Sequence, residues 1–325
     1  FNVGAIYNYN RNKLDELPNA DQYLYSSYWG SSSLVPTNDY MFVEGKAIGL
    51  VRGFISEGYY TVDDFNYTNG QYVLKEGVPD ITKALTATYM HPYDLPAGQT
   101  AFPGAAKFRD VDESGTVDLD DATCLGEVMP RHTGSFQLNF NYKNFDLSTN
   151  FNGTAGGKVY NVAAMINASG QEFDGIGAQR ASWVADAFKV YNVNAAGDLY
   201  AVTNPDELRA LNANAKYHLP YHQSGITSSE WLENGSYLRL QTLTLGYTLP
   251  KNWLTKVHVD KIRLYLTATN LFTITGYSGI DPEVNANPTG QSGFYSDLRI
   301  FPTLNMDFGT YPRARTFTFG ANITF

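Results

Sequence analysis

The sequence predicts an all-β fold, a sector of about eight antiparallel strands from the wall of a large transmembrane β-barrel. Three observations predict it. The last strand alternates strictly, with Phe317, Phe319, Ala321, Ile323 and Phe325 on one face and Thr316, Thr318, Gly320, Asn322 and Thr324 on the other. It stops on Phe325, as a closing barrel strand does where its outer face meets lipid. A hairpin over residues 135–154 has a second face of Gln, Asn, Asp and Ser rather than Lys and Glu, which suits a wet lumen better than open solvent. Short and long connections alternate between strands, as periplasmic turns and extracellular loops do.

Composition agrees. Of 325 residues, 14% are aromatic and only 17% charged, with 24 Tyr and 29 Gly. That mixture favours short, turn-rich strands over helices. No apolar run approaches the length of a transmembrane helix, so any membrane crossing is by strands. A net charge of −9 argues against nucleic acid as a partner. Cys124 is the only cysteine, which excludes an internal disulfide and a zinc site built on several thiolates. The chain opens as a strand, Phe-Asn-Val-Gly-Ala-Ile, with no signal peptide ahead of it. It is therefore expected to be the C-terminal piece of a larger protein.

Strands are expected at residues 1–10, 45–56 and 101–109, then in the hairpin, then at 237–249, 261–272 and 313–325. Residues 57–100 carry no assignment. In the hairpin, Phe136, Leu138, Phe140 and Tyr142 alternate with Gln137, Asn139 and Asn141. A two-residue turn at Lys143-Asn144 sets Tyr142 opposite Phe145 and brings Leu147 to the same face. Phe136, Leu138, Phe140, Leu147, Phe317, Phe319 and Phe325 are thus expected to face lipid, and Gln137, Asn139, Asn150 and Asn322 the lumen. The connections 153–236 and 273–312 are far longer than ordinary loops and are expected to be extracellular. Short helices are expected near 180–190 and 205–215.

One stretch matches a twelve-residue calcium loop, residues 110–121. Oxygen donors fall at the first, third, fifth, ninth and twelfth positions (Asp110, Asp112, Ser114, Asp118, Asp121). Gly115 is sixth, and the Thr116 carbonyl supplies the seventh. Asp118 would act directly or through water. Lys107-Phe108-Arg109 ahead of the loop reads as a strand end, so a structural Ca2+ staple is expected rather than an EF-hand switch; the alternative is a solvated acidic loop without an ion. Catalysis finds no support. His218 and His222 have Pro220 between them, which breaks a helical ligand spacing, and His91, His132 and His258 stand apart. Loop aromatics, among them Trp183, Tyr191, Trp231, Tyr277 and Tyr295, suit sugar faces or peptide side chains at a barrel mouth; the alternative is packing of loop on loop.

Several stretches together resemble one family. They are Trp231-Leu-Glu-Asn-Gly-Ser-Tyr-Leu-Arg-Leu240 running into Thr244-Leu-Gly-Tyr-Thr-Leu-Pro250, Thr269-Asn-Leu-Phe-Thr-Ile-Thr-Gly-Tyr277 followed by Asp281-Pro-Glu-Val284, and Tyr311-Pro-Arg-Ala-Arg315 leading into the last strand. Upstream, Phe108-Arg-Asp-Val-Asp-Glu-Ser-Gly-Thr-Val-Asp118 precedes Phe145-Asp-Leu-Ser148. In that order, over roughly residues 43–325, they resemble the C-terminal third of SusC/RagA-like TonB-dependent transporters of Bacteroidetes-type outer membranes. The resemblance implies a twenty-two-stranded barrel of the plugged outer-membrane class, capped by a SusD-like surface lipoprotein and importing glycans or oligopeptides with energy from TonB. The plug and the TonB-contacting segment are not among these residues, and 153–236 departs from the family beyond its ends. Two other readings stay open: a passive porin-like or adhesin-like barrel, and a soluble calcium-stapled carbohydrate-binding β-sandwich.

Overall fold

Six long strands form one antiparallel sheet in which each strand pairs with the next along the chain. They are β1 (Asn2–Tyr9), β2 (His132–Tyr142), β3 (Phe145–Ala155), β4 (Tyr237–Thr248), β5 (Lys261–Thr275) and β6 (Thr316–Thr324). The computed structural model describes the chain except residues 19–20, 28–33, 87–90, 170–180, 220–224, 256–258 and 285–304. No helix among the described residues is long and apolar enough to cross a membrane.

The hairpin register is the expected one. Tyr142 pairs with Phe145, and Lys143 in the turn takes the left-handed conformation, φ 53°. Because opposite residues share a face, the pairing sorts the side chains into rows. One row runs Leu138, Thr149, Leu243, Ala268, Phe317; the next, on the other face, runs Gln137, Asn150, Thr242, Thr269, Thr316. The β4 sequence alone is out of phase, with Leu238 and Leu240 at even positions and Leu243 and Leu245 at odd ones. A register shift at Gln241 absorbs the extra residue, so all four leucines reach the apolar face.

Phe136, Phe140, Tyr142, Phe145, Phe317, Phe319 and Phe325 are exposed. No second sheet covers this face among the described residues, where a β-sandwich would place one. An eleven-residue strand extends about 36 Å at roughly 3.3 Å per residue. Tilted by about 45°, it rises about 25 Å, the height of an outer-membrane apolar band. The sheet is an open sector of a transmembrane β-barrel wall.

The strands join differently at their two ends. At the turn end the links are residues 143–144 and 249–260. At the loop end they are 10–131, 156–236 and 276–315. This corrects the strand count, since the wall has six strands among the described residues rather than about eight. The segments expected as wall strands at 45–56 and 101–109 lie inside the first loop-end excursion. There Leu50–Gly53 joins a four-stranded sheet with Thr123–Glu127, Tyr40–Val43 and Gln22–Tyr25, and Ala106–Phe108 pairs with Ser56–Tyr59. Three or four residues cannot cross a bilayer that needs about nine to eleven. Leu50, Val51, Ala106 and Phe108 are also buried, unlike a lipid-facing row.

Residues 57–100 hold a 3-10 turn (Val62–Asp64), a hairpin (Phe65–Thr68 with Gln71–Leu74), a two-residue strand and a short helix. The helices expected in the second excursion include Ala181–Asp186 and Pro205–Leu211. Asn204 caps the latter, its Oδ1 accepting from the amides of Asp206 and Glu207.

The excursions merge into one body with its own core. Phe54, Tyr60, Tyr72, Leu85 and Phe102 of the first pack with Phe188, Leu208 and Ile226 of the second. A second cluster joins all three: Tyr25, Tyr40 and Val51 meet Tyr160, Met165 and Trp231, and Met306 of the third. Gly104 (φ 95°) sits directly beneath the Phe188 ring, where a Cβ would collide with it, so no other residue fits without displacing the ring.

Candidate functional site

The polar face of the wall carries few charges, and two of them, Arg263 and Asp146, neutralise each other. Arg263 on β5 reaches over Gly246 to Asp146 on β3, with Nε–Oδ1 at 2.9 Å and Nη2–Oδ2 at 2.5 Å. A Cβ on Gly246 would strike both partners; the glycine is the gap through which the pair forms. The next ring, Tyr265, lies over Gly320 and stacks with the Arg263 guanidinium at 5.3 Å. Above them the wall offers amides and hydroxyls, including a Thr244–Thr267 hydrogen bond of 2.9 Å and Ser148 donating to Asn139 at 2.6 Å.

At the loop end the wall is fastened to the body by a buried arginine. Arg239 on β4 donates through Nη2 to Asp281 (2.5 Å), through Nη1 to Glu283 (3.0 Å) and through Nε to Thr273 (3.0 Å). Its guanidinium also faces the Tyr237 ring, and Arg313 pairs with the other Glu283 oxygen at 2.8 Å. Nearby, Glu233 accepts from the Ser278 amide and hydroxyl (both 2.7 Å) and from Asn161 (2.7 Å). Tyr277 donates to buried Asp307 at 2.6 Å. Thus the separate stretches around residues 231–240 and 277–284 meet as partners. Sequence reasoning quoted these residues without assigning them work. The available signal was a single arginine in an otherwise uncharged strand, followed by two acids a short way beyond the next strand.

The acidic loop is preorganised. The carboxylates of Asp110, Asp112 and Asp121 lie within 4.8 Å of one another. Fully buried Asp121 accepts from the amides of Val111 (2.5 Å), Asp112 (3.3 Å) and Asp118 (2.8 Å). Asp110 accepts from the amides of Ser114 and Gly115, and the Ser114 hydroxyl donates to the Thr116 carbonyl at 3.0 Å. Hydrogen bonds from the Ser114 side chain and amide hold the Asp112 carboxyl below the usual range. The Asp118 side chain caps the 3-10 turn Leu119–Asp121, accepting from the Asp120 amide at 2.8 Å. The expected strand end precedes the loop, at Ala106–Phe108.

The aromatic residues expected at a substrate divide sharply. Trp183, Trp231 and Tyr277 are buried. Trp183 stacks on Tyr217 (centroids 4.8 Å apart) and meets His218 edge-on at 5.0 Å. These rings build the body, because a core made of loops draws on the large side chains that loops carry. Tyr191 is exposed. Tyr295 lies outside the described residues, as do His222 and His258. His218 is buried with its pKa pushed down to about 4, and Glu230, 3.9 Å away, is pushed up to about 7, both by burial.

No protein-family model matches the chain. A TonB-dependent receptor of Formosa agariphila is 28% identical over 328 residues, covering 100% of this chain and 27% of that protein. The TonB-dependent receptor SusC of Bacteroides thetaiotaomicron is 26% identical over 246 residues, 73% of this chain and 19% of SusC. Among solved structures, the RagAB peptide transporter matches 99% of this chain and 27% of its own, with a TM-score of 0.59 and 19% identity. The chain spans about a quarter of the length of these relatives. The chain is thus similar along its whole length to TonB-dependent receptors, SusC among them over 73% of it, and shares the barrel-wall fold of RagAB.

Proposed function

We propose that the chain forms part of the wall and outer rim of an outer-membrane TonB-dependent importer of glycans or oligopeptides. In this reading the turn end is periplasmic and the loop end extracellular. The remaining wall strands and the plug, through which TonB would act, belong to a longer protein. A SusD-like lipoprotein lid would rest on the loop-end body. The observation that carries the reading is a wall lipophilic outside and neutral-polar inside, joined at one end only to a folded body. Such a body, with its own buried core shared between excursions, gives a lid and a substrate site a packed surface to rest on. Of the aromatic residues expected at the substrate, exposed Tyr191 is the described candidate for contact. The test is uptake of labelled oligosaccharide and oligopeptide by cells with and without TonB, with capture of any co-purifying surface lipoprotein in mild detergent. TonB-independent uptake with no lipoprotein would overturn it in favour of a passive barrel.

We infer that the loop 110–121 holds a structural Ca2+ through Asp110, Asp112, Ser114, the Thr116 carbonyl and Asp121. The convergence of three carboxylates supports this, since hard oxygen donors suit such an ion. With its side chain at the helix cap, Asp118 would contribute through water. Melting of the full-length protein with calcium and with a chelator tests it. Added calcium should raise the melting temperature and Asp110→Ala should abolish the rise; identical melting with and without calcium would exclude the site.

A further inference from the structure

The apolar face of the wall is not uniform. At the loop end of β1–β4, an open groove of about 340 Å³ is cut into it. Its floor is a pair of glycines directly opposite each other, Gly134 on β2 and Gly153 on β3. Tyr7 pairs with Gly134 on one side and Leu238 with Gly153 on the other. Phe136 and Phe151, themselves opposite each other with rings 6.3 Å apart, form the wall toward mid-membrane. At the upper edge His132 Nδ1 lies 2.8 Å from the Tyr7 hydroxyl, and Tyr9 packs against the same imidazole at 5.2 Å.

Two adjacent glycines remove the side chains that elsewhere fill this face, and the strands approach closely there, with a Gly153 Cβ 2.5 Å from the Tyr237 carbonyl. The groove volume is at the lower end of the roughly 300–1,000 Å³ of ligand clefts. Its lining is mainly hydrocarbon and aromatic, with Thr133, Ser135 and Thr154 among it, and the Tyr7–His132 contact lies at the edge where the apolar rows end. Amphipathic aromatic groups mark the level at which hydrocarbon gives way to headgroups.

We propose that this groove seats one acyl chain of a membrane lipid, its headgroup beside Tyr7 and His132. The occupant follows from continuity, because Tyr7, Gly134, Gly153 and Leu238 form one of the lipid-facing rows of the sheet. An empty notch there would leave its lining without van der Waals partners, and a flexible chain end fills it at small cost. The proposal rests on the membrane-facing assignment of the apolar face.

The test uses the full-length protein in nanodiscs doped with a phosphatidylethanolamine bearing a diazirine near the carboxyl end of one acyl chain. After irradiation, labelled positions are mapped by mass spectrometry. Ile274 sits in the same row, opposite Leu238, and serves as the reference outside the groove. Labelling around Gly134–Phe136 and Phe151–Gly153 should exceed that at Ile274 several-fold and should saturate with probe concentration, whereas Ile274 labelling should rise in proportion. Leu238→Trp, which fills the groove from its exposed wall without touching the backbone, should bring groove labelling down to the Ile274 level. Equal, non-saturating labelling in the wild type overturns the proposal while leaving the membrane assignment intact, and so does undiminished labelling in a folded Leu238→Trp protein. Absence of label at both places would remove the membrane assignment and the groove together.

Discussion

Phe319 in the wall is 74% exposed, and Phe54 in the loop-end body is 0% exposed. The same side chain has opposite fates in one chain. In the body, aromatic residues turn inward and form two clusters shared between excursions. In the wall the phenylalanines turn outward in rows, and the inward rows are mostly Thr, Asn and Gln, with the Arg263–Asp146 ion pair and the Tyr265 ring beside it. Two solvents account for the difference. Water expels apolar groups from the surface of the body. Lipid accepts them, and the polar groups retreat to the lumen side.

The largest expected effect tests the water-facing half. Phe54→Ala should destabilise the body by about 3–5 kcal/mol, the usual cost of emptying a fully buried aromatic site. The wall should still assemble. Protease resistance of the two regions in intact cells reads this directly, and loss of the wall together with the body would show that they are one cooperative unit. Next in size is the lipid-facing half. Leu138→Arg should cost about 2–4 kcal/mol of assembly, and Asn139→Arg, one residue along on the lumen face, far less. Urea titration of refolding into bilayers measures both, and equal tolerance would sink the assignment of faces.

The smallest expected effect sharpens the comparison through pH. Asp39 is fully buried in the body and accepts from the Ser27 amide (2.8 Å) and hydroxyl (2.5 Å), and burial pushes its pKa up to about 7. With the folded value above the unfolded one, its contribution is complete below about pH 4 and is lost as pH rises toward 7. Glu230 has the same sign, and His218, pushed down by burial, the opposite one below its ordinary value. Asp39→Asn should therefore reduce the fall in body stability between pH 5 and 7 by roughly 2 kcal/mol. Melting curves across that range check it; an unchanged slope would mean that Asp39 does not carry the dependence.

Part of the candidate site was legible because its signals are local. The acidic loop carries its spacing in twelve consecutive residues, and the hairpin register follows from a two-residue turn. Arg239 was not legible, because its partners Asp281 and Glu283 are brought to it only by the pairing of β4 with β5. Burial of Trp183 and Trp231 was hidden for a similar reason. Aromatic side chains in loops look alike whether they await a ligand or pack on another loop.

The sequence by itself determined the two faces of the wall, though not how many strands it has. Period-two alternation, a polar face with few charges and an aromatic last strand are properties of neighbouring residues, and a sheet with two different solvents on its faces leaves them one arrangement. Tertiary structure alone decided that residues 10–131 form a single excursion rather than further wall strands. A short apolar run reads the same in a membrane wall and in a small buried sheet, and only the partners of Leu50–Gly53 and Ala106–Phe108 tell them apart. It also decided the phase of β4, where the shift at Gln241 returns the leucines to lipid, and the close approach over Gly246 that lets Arg263 reach Asp146. These are distances across strands, and no periodicity along one strand contains them.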